Sequence, residues 1–98
     1  MLNAKADVNQ RAILEGARKL GISVVSLHRV GQGVPDLLLG GSVKCPCCGC
    51  AYLMNWLAEI KSPEGKLTER QQKWLDSWRG QAGVVRSLEE LLRMVGHG

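Results

Sequence analysis

Two sets of side chains in this 98-residue sequence place reactive or metal-seeking groups at short spacing. The first is Cys45-Pro46-Cys47-Cys48-Gly49-Cys50, which holds all four cysteines of the chain in six residues. A disulfide framework spreads its cysteines to staple distant segments, and this cluster cannot, so thiolate–metal chemistry is the better reading. Cys45 and Cys48 are spaced to share one metal, and so are Cys47 and Cys50. A tetrahedral Zn²⁺ site needs four ligands, and no second C-x-x-C motif exists to complete one. All four cysteines on a single ion would need a strained loop. The remaining ligands are sought in Cys50, in His28 or His97, or in the same knuckle of a second subunit. A reduced thiol loop without metal is the alternative. The second set is Asp36, Glu59 and Lys61. Asp36 follows Pro35 and opens an apolar run, while Glu59 and Lys61 end the most apolar stretch of the chain. On a strand, period two turns Glu59 and Lys61 to one face and Ile60 to the other, into the core. Two carboxylates converging from adjacent strands make a hard-oxygen site for Mg²⁺ or Mn²⁺. An ammonium beside them can orient an attacking water or stabilise charge on a phosphate. A surface ion pair at a frayed strand end produces the same E-x-K pattern.

The elements that must hold these groups are legible in outline. Asp7 to Leu20 reads as a helix, with Asp7 as N-cap, Gln10 at the capping-box position, and Val8, Ile13, Ala17 and Leu20 on one face. Ile22 to Arg29 reads as a strand, and Gly31-Gln32-Gly33 as a turn. Asp36 to Leu39 is a second strand ended by Gly40-Gly41. The cysteine knuckle, at about 44–51, sits in the hairpin connection that follows. Ala51 to Lys61 is apolar enough for a central strand covered on both faces. Thr68 to Arg79 is a helix opened by the Thr68–Gln71 capping box, with Trp74 and Trp78 expected to cover the sheet and Trp56 expected in the core. Gly83 to Arg86 is a fourth strand, and Ser87–Glu90 opens a last helix with Leu88, Leu91, Leu92 and Val95 inward. Met1–Ala4 and Gly96–Gly98 read as loose ends. The order α-β-β-β-α-β-α requires a crossover between the last two strands, hence a mixed four-stranded α/β sheet flanked by helices.

Gly33-Val34-Pro35-Asp36-Leu37-Leu38-Leu39-Gly40, then Glu59-Ile60-Lys61, then Gly65-Lys66-Leu67-Thr68 with Gln71 and Trp74, resembles the PD-(D/E)XK nuclease superfamily. The likeness is nearest to the small stand-alone VRR-Nuc-type nucleases of phages and prophages, and it covers about Asp7 to Val95. The resemblance implies a restriction-endonuclease-like core in a single domain spanning residues 1–98. It implies that Asp36 and Glu59 bind a divalent metal, with the Ile60 main-chain carbonyl as third ligand. Lys61 would position the attacking water, and Gln71 would stand near the site at the start of its helix. The implied reaction is phosphodiester hydrolysis by in-line attack on phosphorus. Members often carry a further acidic residue on the first helix, where this chain offers Asn9, Gln10 and Glu15. Stand-alone members are similar to Holliday junction resolvases, which implies a homodimer acting on branched or junction DNA.

Composition bounds the rest. Net charge is +4 with an isoelectric point near 9.1, a modest excess that suits a polyanion partner. Lys66, Arg70, Lys73 and Arg79 around the second helix are the expected phosphate contacts. Apolar residues at 45% and charged residues at 22% argue against disorder. No apolar run reaches the roughly 18–20 residues of a membrane span and no leader pattern opens the chain, so a cytoplasmic protein is expected, in the host cell if phage-encoded. The rival to a nuclease is a non-catalytic zinc-knuckle module that binds nucleic acid or directs assembly, and Mg²⁺-dependent cleavage separates the two. A C-x-x-C redox protein is disfavoured because the thioredoxin-like strand-to-helix context is missing.

Overall fold

The elements run α1 (Ala4–Lys19), β1 (Ser23–Ser26), β2 (Leu37–Lys44), β3 (Ala51–Ile60), α2 (Glu69–Ser77), β4 (Ala82–Val85) and α3 (Leu88–Met94) in a computed structural model that describes residues 4–96. This is the order expected from the sequence. The strands form one mixed α/β sheet in the order β1-β2-β3-β4. β1, β2 and β3 are successively antiparallel, and β4 joins β3 in parallel because α2 carries the chain back between them. Leu37 pairs with Ala58 and Leu39 with Trp56, and this face packs against Ile13 and Ala17 of α1 and Leu91 of α3. Gly16 lets the two helices meet, since a Cβ there would lie 2.5 Å from the Leu88 side chain. Strand alternation turns Leu38, Leu57 and Glu59 to the second face. There Leu38, Leu57 and Trp78 line an open apolar cleft of about 410 Å³.

Several elements depart from the sequence expectation. α1 begins at Ala4, so Asp7 is inside the helix and is not its N-cap; the Asp7 side chain lies outside the described residues. Ala4-Lys5-Ala6 are strong helix formers and give the chain no reason to wait for Asp7. Val8 and Leu20 stand exposed instead of joining Ile13 and Ala17. β1 stops at Ser26, three residues early, because the chain turns through a hydrogen bond from Val30 N–H to the Leu27 carbonyl. β2 does not end at Gly40-Gly41 but continues to Lys44. The Trp56 ring passes 3.6 Å from where a Gly41 Cβ would sit, so a neighbouring side chain covers the bare backbone. β3 is not covered along its whole length. Its first half runs outward with β2 as a hairpin arm, leaving Leu53 86% exposed.

The helix caps explain two further differences. Thr68 and Gln71 form the full reciprocal capping box. At α3 only half of it forms: Ser87 Oγ accepts from Glu90 N–H at 3.1 Å, while the Glu90 carboxylate accepts from Arg86 N–H at 2.7 Å. α2 ends at Ser77 and buries no residue. Trp74 and Trp78 stack on each other, ring centroids 4.7 Å apart, and Trp78 lines the cleft over Leu38 and Leu57 while staying 47% exposed. Trp56 is buried as expected. Among the described residues no helix is long and apolar enough to cross a membrane.

Candidate active site

The β2–β3 register, continued one step past the Leu37–Ala58 pair, sets Asp36 opposite Glu59. Alternation places both on the face away from α1 and α3, together with Lys61. Pro35 has no N–H to extend the ladder. Regular pairing stops there, and the Asp36 side chain takes the place of a strand carbonyl, with Oδ2 accepting from Ile60 N–H at 2.9 Å. Within a strand, a residue's N–H and C=O leave from the same edge. The Ile60 carbonyl therefore faces the Asp36 side of β3, while Lys61 N–H turns to the Val85 carbonyl on β4.

Glu59 is only 3% exposed, the one buried charged residue among those described. Its Oε1 accepts from Gln71 Nε2 at 2.6 Å, and its Oε2 is buried without a partner. Lys61 Nζ stands 4.0 Å from Oε1, close enough to attract but beyond hydrogen-bond reach. Burial, and next the negative charge of Asp36, push the Glu59 carboxyl up from 4.5 to about 7, and Lys61 pulls the other way without offsetting them. The capping box fixes which end of Gln71 meets Glu59. Gln71 Oε1 accepts from Thr68 N–H at 2.9 Å, so the amide nitrogen is the end left to donate to the carboxylate. A helix start thus doubles as the holder of an acid.

Two further positions hold the site, and the sequence gives no sign of what either one contacts. Arg86 Nη1 donates to the carbonyls of Ser62 at 3.0 Å and Gly65 at 2.8 Å, clamping the loop that follows Lys61. The sequence offered only an arginine after a strand, with no sign of what it reached. Gly33 was read as a turn glycine. It has φ +81°, and a Cβ there would lie 2.8 Å from the Arg70 carbonyl oxygen. The turn before Asp36 therefore rests directly on the first turn of α2, which carries Gln71. Gly33→Ala is expected to lower stability by roughly 1–3 kcal/mol, from backbone strain plus the displaced helix start. Chemical denaturation checks it; a loss within about 0.5 kcal/mol, the range of ordinary surface substitutions, would show that the close approach carries no energy.

Asp36, Glu59, Ile60, Lys61 and Gln71 therefore converge. Lys66, Arg70 and Lys73 stand exposed on the loop and helix that carry Gln71, and Lys73 pairs with Glu69 at 3.4 Å on the surface, worth little in water. α1 lies behind the opposite face of the sheet. Asn9 is on its inward side in line with Ile13 and Ala17, with Nδ2 buried and unpartnered, while Glu15 is exposed. Among the described residues no three His, Cys, Asp or Glu side chains are grouped to hold a metal.

The cysteine turn closes the far end of the hairpin arm. Cys45 N–H donates to the Cys50 carbonyl and Gly49 N–H to the Cys45 carbonyl, both at 2.8 Å, and Gly49 takes φ +75°. All four cysteines are free; Cys45 is half-buried and the others exposed. Backbone N–H groups of Cys48 and Cys47 hydrogen-bond the Cys45 sulfur and lower its pKa. The eight residues of β2, about 27 Å of strand, separate this turn from the carboxylates. His28 lies at the carboxylate end, just past β1, so it does not reach the cysteines. His97 lies outside the described residues.

No protein-family model matches the chain, and neither the curated proteins nor the solved structures offer a match.

Proposed function

We propose that the chain is a divalent-metal-dependent nuclease that hydrolyses phosphodiester bonds in DNA on a restriction-endonuclease-like core. The observation that carries this reading is Glu59, a buried carboxylate with one oxygen unpartnered, set opposite a second carboxylate. A structural ion pair would satisfy both oxygens, and burial without a partner costs stability unless something is to be bound. The donor set fits Mg²⁺ or Mn²⁺: two carboxylates and a main-chain carbonyl, all hard oxygen ligands. Asp36, Glu59 and the Ile60 carbonyl would hold the ion. When bound, it neutralises the carboxylate pair and draws charge from the phosphate oxygens as a Lewis acid.

The chain's own residues do the rest. Gln71 fixes the plane of the Glu59 carboxylate through its amide nitrogen. Lys61 is held near Glu59 without being hydrogen-bonded to it, so its ammonium protons are free to hold a water in line with the scissile bond. The water oxygen bonds to phosphorus and gives up its proton to solvent, while one bridging P–O bond breaks and its oxygen leaves as an alcohol, taking a proton from solvent. Lys61 also opposes negative charge building on the phosphate. Lys66, Arg70 and Lys73 supply exposed positive charge for neighbouring phosphates. A chain of 98 residues has little surface for reading a long base sequence, which favours a structural feature such as a branch or junction as substrate, engaged by a homodimer.

The test is incubation with duplex, flap and four-way DNA in Mg²⁺, Mn²⁺ or EDTA. Cleavage of at least one substrate with metal and none with EDTA is expected. Binding without cleavage under every condition would replace this reading with that of a non-catalytic nucleic-acid-binding module.

A further inference from the structure

We propose that the Cys45–Cys50 turn is half of a zinc site, with Cys45 and Cys48 as its ligands, and that the same turn of a second copy of this chain supplies the other half. The inference is independent of the nuclease reading, because it concerns the far end of the arm.

The local geometry favours a metal over an idle thiol loop. The turn is closed by two main-chain hydrogen bonds, and Gly49 takes the left-handed conformation at φ +75°. The Gly49 N–H bond to the Cys45 carbonyl closes one tight turn around Cys45 and Cys48, whose C-x-x-C spacing lets two thiolates grip one ion. Thiolate pairs of this kind select Zn²⁺ and similar soft or borderline ions over Mg²⁺.

One chain gives only half of the four ligands. No group of three His, Cys, Asp or Glu exists among the described residues, and His28 is at the other end of β2. The described residues do not supply the missing pair, and the position of the turn lets a second chain supply it. It is exposed at the tip of a two-stranded arm, in a molecule 46 Å long but only 29 by 23 Å across. Two tips can therefore meet with both cores held apart. Four thiolates around one Zn²⁺ leave two net negative charges. Lys44 precedes each knuckle and is exposed, so the pair of chains brings two ammonium groups to the same place.

Protein purified without chelator under reducing conditions should carry one zinc per two chains and sediment as a dimer. Stripping the zinc should give monomers, and adding Zn²⁺ alone should restore the dimer. Cobalt in place of zinc should show the visible bands of a tetrahedral all-thiolate site. Cys45→Ser and Cys48→Ser should each abolish both metal and dimer, while Cys47→Ser and Cys50→Ser keep them. The turn is remote from the core, so with zinc removed by chelator all four variants should unfold at the midpoint of the equally stripped parent. One zinc per chain on a monomer, a dimer that survives zinc removal, metal retained by Cys45→Ser or Cys48→Ser, or no zinc at all would each overturn the proposal.

Discussion

Lys61→Ala is expected to fold and to bind DNA, yet to cut it roughly 10²–10³-fold more slowly, the usual cost of removing one preorganised charge from a transition state. The side chain is 18% exposed and makes no hydrogen bond to Glu59, so its loss leaves no buried donor stranded. Its charge acts twice. Toward substrate it holds water and opposes charge on the phosphate. Toward Glu59 it favours ionisation against burial and Asp36. Without it the Glu59 carboxyl rises further above 7, and the ascending limb of the cleavage–pH profile moves to higher pH. Raising the pH should recover metal affinity in Lys61→Ala but not the whole rate. Asp36→Ala and Glu59→Ala behave differently, losing metal binding and cleavage together at every pH. Rate–pH profiles at saturating Mg²⁺, beside a Mg²⁺ titration, separate the two roles. A Lys61→Ala protein that cuts at the parent rate would remove Lys61 from the mechanism.

How far the sequence revealed these features depends on whether the cause was local. The Thr68–Gln71 box was legible because its partners are three residues apart and their chemistry is short-range. The placement of Glu59 and Lys61 against Ile60 followed from period two alone. The convergence of Asp36 on Glu59 followed from a hairpin between two apolar runs. Other features answered to distant groups. Gly40-Gly41 reads as a stop, yet β2 continues because a strand fourteen residues on provides both ladder and ring. Asp7 reads as a cap, yet residues before it already favour helix. Trp74 and Trp78 have the spacing of a buried stripe, and nothing local shows that they would stack on each other in a helix that buries no residue. Gly33 and Arg86 matter through contacts 37 and more than 20 residues away, and no spacing rule reaches that far.

Glu59→Gln is expected to make the metal-free protein more stable at pH 8, by about 3 kcal/mol, while abolishing cleavage. The sign follows from the direction of the shift. The Glu59 carboxyl titrates near 4.5 when unfolded and about 7 when folded, so between those values the folded chain holds the extra proton. Stability therefore falls as pH rises through that window and levels off above it. The fall corresponds to the 4.5-to-7 displacement, about 3 kcal/mol at 1.36 kcal/mol for each pH unit. A neutral amide never bears that cost. It can still meet the Gln71 amide, since Gln keeps an acceptor oxygen where Oε1 now accepts. Mg²⁺ should act in the opposite sense on the parent. By mass action, a ligand at a hundred times its Kd adds about 2.7 kcal/mol, and the ionised Glu59 that destabilises the empty site is the form that binds. Denaturant melts at pH 5 and pH 8, with EDTA and with Mg²⁺, read all of this at once. The parent should lose stability from pH 5 to 8 in EDTA and regain it with Mg²⁺, while Glu59→Gln responds little to either. A parent whose stability is flat across that range would mean that Glu59 is not the buried, proton-holding acid inferred here. Equal stabilisation of Glu59→Gln by Mg²⁺ would place the metal elsewhere. If both expectations hold, the fold gives up stability at Glu59 in order to keep an acid where a cation is needed.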